Sequence, residues 1–222
     1  MTKSESEQII SVIGTQLFQP IADLVAKLIS ATYRRPDRVG STYYETGYSA
    51  SIILLTVAAI ESLTQRDRYF FRKANPSSNI SGAPVEYAKT VLRYRRHRQL
   101  QELFEVRNAI AHNHIWEIDF SVPASGGRQH NASQLVAGTH RLRVIPPIKT
   151  RVPRTQRVRL NLQPNRLDRT DVAKALDVCI HYLAHLSNGG SKPIPLLRET
   201  IAFQGKQRRL ADIVSAVQQS IH

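Results

Sequence analysis

The longest apolar run of the sequence, IILLTVAAI at residues 52–60, is the feature that most restricts the fold. A helix needs about 20 apolar residues to cross a bilayer, so this run is too short to span a membrane. The helical pattern nevertheless continues on both sides of the run, from about Thr42 to Arg72. We predict a long helix that is buried at the centre of the fold, and no membrane segment.

Helical spacing of apolar residues recurs in other parts of the chain, whereas the residues after Trp116 alternate as strands do. The helices are predicted at about 6–32, 42–72, 85–112, 170–186, 194–203 and 207–220. A kink is expected at Pro20 in the first of them, and a bend around the arginine cluster at 93–98 in the third. We therefore predict a mainly α fold, a helical bundle in one domain over residues 1–222. A basic β insertion of two or three strands is expected at about 118–166, between the third helix and the C-terminal helices. Its strand segments are EIDFSV at 117–122, RLRVI at 141–145 and RVRLNL at 157–162, and the loop PASGGRQHNASQ at 123–134 follows the first of them.

The chain carries a formal net charge of +14 and has a pI near 10.4, and arginine far outnumbers lysine. This charge favours an acidic partner, with a phosphate polymer such as RNA as the first candidate. Guanidinium groups bind phosphate oxygens through paired hydrogen bonds, which lysine cannot do. A genome of high GC content produces the same arginine bias without any functional meaning.

The expected insertion concentrates the positive charge, because Asp168 is the only acidic residue between Phe120 and Arg169. Such a segment suits a phosphate backbone, and the alternative is a solvated ribbon or a surface for an acidic protein. The cluster RYRRHR at 93–98 has similar alternatives, a solvated helical face or the rim of a dimer. The candidate RNA-binding residues are Arg95, Arg96, Arg141, Arg143, Arg154, Arg157 and Arg159.

Cysteine usage and the N-terminus bear on the compartment. The single cysteine, Cys179, excludes an internal disulfide, and its neighbours predict a packed helix rather than a reactive thiol. The polar and acidic start MTKSESEQII lacks the features of a secretory signal. We expect a cytoplasmic protein.

The segment EVRNAIAHNHIW at residues 105–116 places a polar anomaly in an apolar helix. On a helical wheel, Arg107 falls inside the apolar stripe, so it must be paired or lie at an interface. Asn108 and His112 are four residues apart and share the flank next to that stripe. We expect the three side chains to border a common groove.

Glu61 is a similar anomaly, because it lies on the most apolar face of the central helix. A buried carboxylate needs a cation or several hydrogen-bond donors. We predict that Glu61 pairs with Arg107 or orients a group beside it.

These residues resemble the HEPN superfamily of helical ribonucleases and nucleotide-binding domains. The hallmark of that family is an arginine, a polar residue, a short spacer and a histidine, which correspond to Arg107, Asn108, residues 109–111 and His112. Glu61, in AAIESL, matches an acidic residue that the family commonly carries on an earlier helix. The resemblance covers the helices around the motif and not the β insertion.

The resemblance implies a HEPN-like helical bundle and metal-independent cleavage of RNA, with no cofactor. In that reaction the ribose 2′-hydroxyl attacks the neighbouring phosphate and leaves a 2′,3′-cyclic phosphate. His112 would transfer protons, Arg107 would hold the phosphate, and Asn108 would orient the histidine or a phosphate oxygen. His114 also satisfies the loose spacing from Arg107 and is the alternative catalytic histidine.

The resemblance further implies a homodimer, in which two motif helices face one cleft and supply both an acid and a base. A toxin or defence effector, restrained by an antitoxin protein, is the biological role that fits such an enzyme. The alternative is a noncatalytic HEPN-like module that binds nucleic acid, a nucleotide or a protein. His112, His114, Glu117 and Asp119 match no strong zinc spacing, so no metal site is predicted.

Overall fold

The computed structural model describes residues 13–35, 43–78, 82–112, 115–126, 129–137, 154–191, 194 and 200–222. Within these ranges the chain is mainly helical with a small strand insertion, as the sequence predicts. The α-helices are α1 (Phe18–Ser30), α2 (Tyr48–Ala74), α3 (Pro84–Thr90), α4 (His97–Ala111), α5 (Arg169–Gly189) and α6 (Leu210–Gln219). The strands are β1 (Ile115–Ser121), β2 (Gln129–Ala137), β3 (Ile201–Phe203) and β4 (Lys206–Arg208).

Helix α2 forms the centre of the fold, as the apolar run predicts. It packs against α1, α4 and α5, and its side chains Ile53, Val57 and Ile60 are fully buried. The turn that precedes α1 also lies against it. A Cβ atom at Gly14 would come within 2.8 Å of Cγ of Leu63, so this close approach requires glycine.

Helix α2 is also the one stretch of the described residues that has the length and composition of a membrane span. The stretch Tyr44–Ala74 has a mean hydropathy of 1.4, and half of its apolar window is buried inside the fold. The core helix of a soluble protein has the same properties, so length and hydropathy give only weak support for a membrane span here.

Residues 6–12 of the first predicted helix lie outside the described residues, and α1 begins at Phe18. A 3₁₀ turn, Gly14–Leu17, precedes it, and Pro20 occupies the third position of the helix instead of a kink in its middle. The first turn of a helix has no intrahelical acceptors for its N–H groups, so proline is tolerated there.

The predicted helix at 85–112 is interrupted between α3 and α4, at the arginine cluster where the sequence predicts a bend. Arg93 has a φ of 52°, which is incompatible with a right-handed helix. The N–H of Tyr94 donates to the carbonyl of Ala88 at 2.8 Å, and both Leu92 and Tyr94 are buried. The break is therefore part of the packed core, and α4 starts at His97.

Strands β1 and β2 form an antiparallel hairpin in which Ile118 pairs with Ser133. The hairpin starts at Ile115, three residues before the expected start of the insertion. The first part of β2 lies in residues 123–134, which the sequence pattern predicts to be a loop. The expected strand at 141–145 lies outside the described residues.

The expected strand RVRLNL at 157–162 is wrong. Residues 154–166 form an irregular segment with one isolated bridge, between Arg154 and Asn161, followed by a 3₁₀ turn. Leu160 and Leu162 are nevertheless buried in the core. This part of the basic insertion is therefore a loop that covers the helices and not a strand of a sheet.

The C-terminal part differs from prediction in its first half. Residues 195–199 of the helix predicted at 194–203 lie outside the described residues, and its last residues, Ile201–Phe203, form β3 in the short hairpin of β3 and β4 instead. Its two central residues, Gln204 and Gly205, have positive φ angles of 49° and 74°, as in the two-residue turns typical of hairpins. Helix α6 follows and packs against α5, as expected for the last helix.

A buried ion pair joins the beginnings of α2 and α5. The guanidinium of Arg169 donates through Nη2 to Oε2 of Glu45 at 2.8 Å, and their side chains are only 1% and 5% exposed. The same guanidinium donates to the carbonyls of Leu28, Ala31 and Ser220. Arg169 therefore ties the end of α1 and the C-terminal segment to α2 and α5.

Candidate active site

Helix α4 positions the predicted motif on the outside of the helical core. Its buried face, which includes Leu100, Leu103, Val106 and Ala109, packs towards α2. Arg107 lies at the border of this face, with 26% of its side chain exposed, instead of inside the apolar stripe. The buried residues of α4 shift to a different side of the helix towards its C-terminal end, where Ala111 is exposed. A helical wheel assumes one straight apolar stripe, and it therefore places Arg107 too far inside.

Arg107 and Glu61 form the predicted ion pair. Nη2 of Arg107 donates to Oε1 of Glu61 at 2.7 Å, and the guanidinium lies 5.5 Å from the ring centroid of Phe104. The predicted burial of Glu61 is wrong, because 36% of its side chain is exposed. Nε of Arg107 is buried and has no hydrogen-bond partner among the described residues. Nη1, by contrast, is not buried and donates to none of the described residues, so the pair borders solvent and leaves this nitrogen available for a ligand.

His112 ends the motif helix as its C-cap residue, one position beyond Ala111. Its backbone N–H donates to the carbonyl of Asn108 at 3.0 Å. The side chains of Asn108 and His112 are both half-buried. The structure therefore places Arg107, Asn108 and His112 within the last turn and a half of α4. His114, the alternative histidine, lies outside the described residues.

The predicted RNA-binding arginines lie in two groups. Arg95 and Arg96 are exposed just before α4, and Arg157 and Arg159 are exposed on the irregular segment. Arg154 is half-buried and donates through Nε to the side chain of Asn161 at 3.2 Å, which makes it partly structural. Of the remaining candidates, Arg141 and Arg143, the structure describes nothing.

The exposed arginines and the motif lie towards opposite ends of α4. Arg96 and Arg107 are eleven positions apart, or about 16 Å along a helix axis at 1.5 Å per residue. One protomer therefore does not bring Arg95 and Arg96 into the same cleft as His112.

Glu102, which the sequence did not single out, organises the basic segment. Its carboxylate is buried on α4 and accepts the N–H groups of Arg157 and Val158, both at 2.8 Å. An acidic residue beside Leu103 on the core-facing side of a helix is the signal that could have revealed it. Glu102 fixes the backbone of the segment and leaves the side chain of Arg157 exposed.

In the described part of the chain, no group of three or more histidine, cysteine, aspartate or glutamate residues lies close enough together to hold a metal ion. The side chains of His114, Glu117 and Asp119 lie outside that description.

Comparison of the chain with protein-family models, with curated proteins and with solved structures gives no match. The candidate site is therefore argued from its own residues.

Proposed function

We propose that this protein is a metal-independent endoribonuclease that cleaves RNA and leaves a 2′,3′-cyclic phosphate. The observation that carries the proposal is the half-exposed Arg107, held by Glu61 at 2.7 Å within two turns of His112. A phosphate clamp needs a cation with a fixed direction and remaining donors, and Arg107 has both.

In the proposed reaction, a base takes the proton of the ribose 2′-hydroxyl while that oxygen attacks the adjacent phosphorus. The bond from phosphorus to the 5′-oxygen breaks, and an acid gives that oxygen a proton. An imidazole can accept a proton at one nitrogen and donate one from the other, so His112 suits either role. Arg107 would stabilise the negative charge on the phosphorus-bound oxygens, and Asn108 would orient the phosphate or the imidazole.

The acid and the base call for two proton-transfer groups, whereas the motif of one chain supplies one histidine at position 112. We propose that two copies associate through the ends of their α4 helices, so that one cleft holds both histidines. Ala111 is exposed and Ile110 half-buried beside Arg107, which gives this surface the mixed character of an interface. Light scattering should report a dimer at micromolar concentration, and a monomer would contradict the two-chain site.

RNA as substrate is supported by the net charge of +14 and by the exposed Arg95, Arg96, Arg157 and Arg159. A toxin or defence role, with an antitoxin protein that covers the site, is the biological setting we propose. We also propose a cytoplasmic location, because the single cysteine, Cys179, is a fully buried free thiol.

A second function, a noncatalytic binding module, is favoured by one feature of the same pair. The charge of Arg107 is already balanced by Glu61, which suits a structural contact beside a groove that binds nucleic acid, a nucleotide or a protein.

Cleavage of total RNA in EDTA by the purified protein distinguishes the two functions. We expect His112→Ala to lower the cleavage rate by about 10²–10⁴-fold, since proton transfer contributes that much to such reactions. His181→Ala is the matched control, because His181 is exposed on α5. Products with cyclic phosphate ends support the proposal. Binding without cleavage by the wild type supports the module, and loss in His114→Ala alone moves the role to His114.

A further inference from the structure

A cavity of about 420 Å³ lies on the side of the fold where α4 begins, away from the motif. Helices α5 and α6 and the irregular basic segment complete its wall. Its lining combines cationic and polar groups with an apolar surface: Arg96, Gln99, Val158, Lys174, Asp177 and Ile221. The volume falls within the range of pockets that hold small organic ligands, about 300–1,000 Å³.

The charges of the cavity are unbalanced. Lys174 is half-buried, and neither Lys174 nor Arg96 forms an ion pair with a carboxylate in the part of the chain that the structure describes. Burial lowers the pKa of Lys174, the carboxylates of Asp171 and Asp168 oppose this shift, and the nearby charges of Arg154 and Arg159 act in the same direction as burial. A bound anion would relieve the repulsion among these cations.

The wall next to Lys174 is held in a conformation that costs free energy. Arg159 has a φ of 62°, a left-handed conformation that is unfavourable for a residue other than glycine. Its carbonyl accepts a hydrogen bond from Nζ of Lys174 at 3.2 Å. The preceding N–H groups of Arg157 and Val158 are fixed on Glu102. Strained backbone of this kind often occurs where a protein clamps a ligand.

We propose that this cavity binds a nucleotide through its phosphate, with Lys174 and Arg96 as the phosphate-binding cations. Asp177, on the same wall, accepts hydrogen bonds from ribose hydroxyls. A free phosphate or carboxylate ion has no such hydroxyls, so Asp177 favours a nucleotide over a simple anion. Val158 and Ile221 supply an apolar surface for the base. The inference goes beyond the proposed cleavage, since binding here requires no catalysis at Arg107 or His112.

The nucleotide is either free or part of an RNA strand, and calorimetric titrations with adenosine 5′-monophosphate, adenosine and a short single-stranded RNA separate these sources. Lys174→Gln is the test variant, because its amide can still donate to the carbonyl of Arg159. Lys73→Gln is the matched control, an exposed lysine at the end of α2 that does not line the cavity.

A free nucleotide is the ligand if adenosine monophosphate binds at one site per chain and Lys174→Gln weakens that binding about tenfold or more. Adenosine should then bind at least tenfold more weakly, and Lys73→Gln should bind within twofold of the wild type. An RNA nucleotide is the ligand if only the RNA binds. In that case the slope of the logarithm of the RNA-binding constant against the logarithm of salt concentration should be smaller by about 0.7 for Lys174→Gln, which is the contribution of one phosphate contact. Lys73→Gln should leave this slope unchanged.

The proposal is overturned if neither ligand depends on Lys174, or if adenosine binds as tightly as its monophosphate. Amine acylation of the wild-type protein gives a second measurement that needs no variant. Bound nucleotide should protect Lys174 from acylation and leave Lys73 reactive, whereas equal modification of Lys174 with and without ligand contradicts the site.

Discussion

Two arginine–glutamate pairs in this protein have the same chemistry and opposite surroundings. Arg169 and Glu45 are 1% and 5% exposed, whereas Arg107 and Glu61 are 26% and 36% exposed. The guanidinium of Arg169 also donates to three backbone carbonyls. Arg107 donates to one carboxylate oxygen through Nη2, and its Nη1, which is not buried, donates to none of the described residues.

The difference separates a structural pair from a pair that is suited to bind a ligand. Every nitrogen of the Arg169 guanidinium has an acceptor, so this side chain has nothing left to offer a substrate. Arg107 retains donors at the border of solvent, close to His112. A charged motif residue is therefore a functional candidate when some of its hydrogen-bond donors have no partner within the fold. Its charge alone is not enough.

The largest expected effect is that of Arg169→Ala on stability. Removal of one partner of a buried pair leaves the carboxylate of Glu45 without its counter-charge, which costs about 3–5 kcal/mol. Urea denaturation followed by circular dichroism measures the free energy of unfolding. A loss below about 1 kcal/mol would show that the Arg169 pair is not the structural one.

The pH dependence of stability tests a second buried group at the start of α5. Burial raises the pKa of Asp171 from 3.8 to about 6, although Asn161 donates two hydrogen bonds to its carboxylate. The folded state therefore binds a proton more tightly than the unfolded chain. This stabilising contribution is complete below about pH 4 and is lost as the pH rises through 6.

We expect the wild type to lose about 2–3 kcal/mol relative to Asp171→Asn when the pH rises from 4 to 7, because a shift of one pKa unit corresponds to 1.36 kcal/mol. Urea denaturation of both proteins at the two pH values gives this difference. Parallel pH profiles for the two proteins would show that Asp171 titrates as an exposed carboxyl does.

The smallest effect on stability is expected at the motif pair. A half-exposed ion pair contributes about 0–1 kcal/mol, so Arg107→Ala and Glu61→Gln should each lower the free energy of unfolding by less than about 1 kcal/mol. The same denaturation experiment provides the measurement, with Arg169→Ala as the reference. A loss of 3 kcal/mol at Arg107 would make both pairs structural and remove the contrast.

Helical periodicity was enough to predict the central helix, the mainly helical fold and the contact between Glu61 and Arg107. That contact could be predicted because each residue interrupts an apolar pattern. The partnership of Glu45 with Arg169 could not, since the two are 124 positions apart and neither interrupts a long apolar stripe. Such a pair can be identified only from the distance between the two side chains in the folded structure.

The segment RVRLNL shows why an alternating pattern can mislead. Arg157 and Arg159 are exposed and Leu160 and Leu162 are buried, as a strand would have them, but Asn161 between the leucines is buried as well. The backbone N–H groups, however, donate to side chains: those of Arg157 and Val158 to Glu102, and that of Leu160 to Thr155. An alternation of polar and apolar residues indicates which side chains are buried. It does not indicate whether a neighbouring strand is present to accept the backbone hydrogen bonds.

The rate at which Arg107→Ala cleaves a labelled RNA in EDTA tests the central claim most directly. Arg66→Ala is the matched control, an arginine of α2 that is not a motif residue and whose guanidinium lies 5.3 Å from the ring centroid of Phe70. We predict a loss of about 10²–10³-fold for Arg107→Ala, the usual cost of removing one donor to the developing charge, and near-normal cleavage by Arg66→Ala. Cleavage by Arg107→Ala at the wild-type rate, or no cleavage by the wild type, would contradict the account.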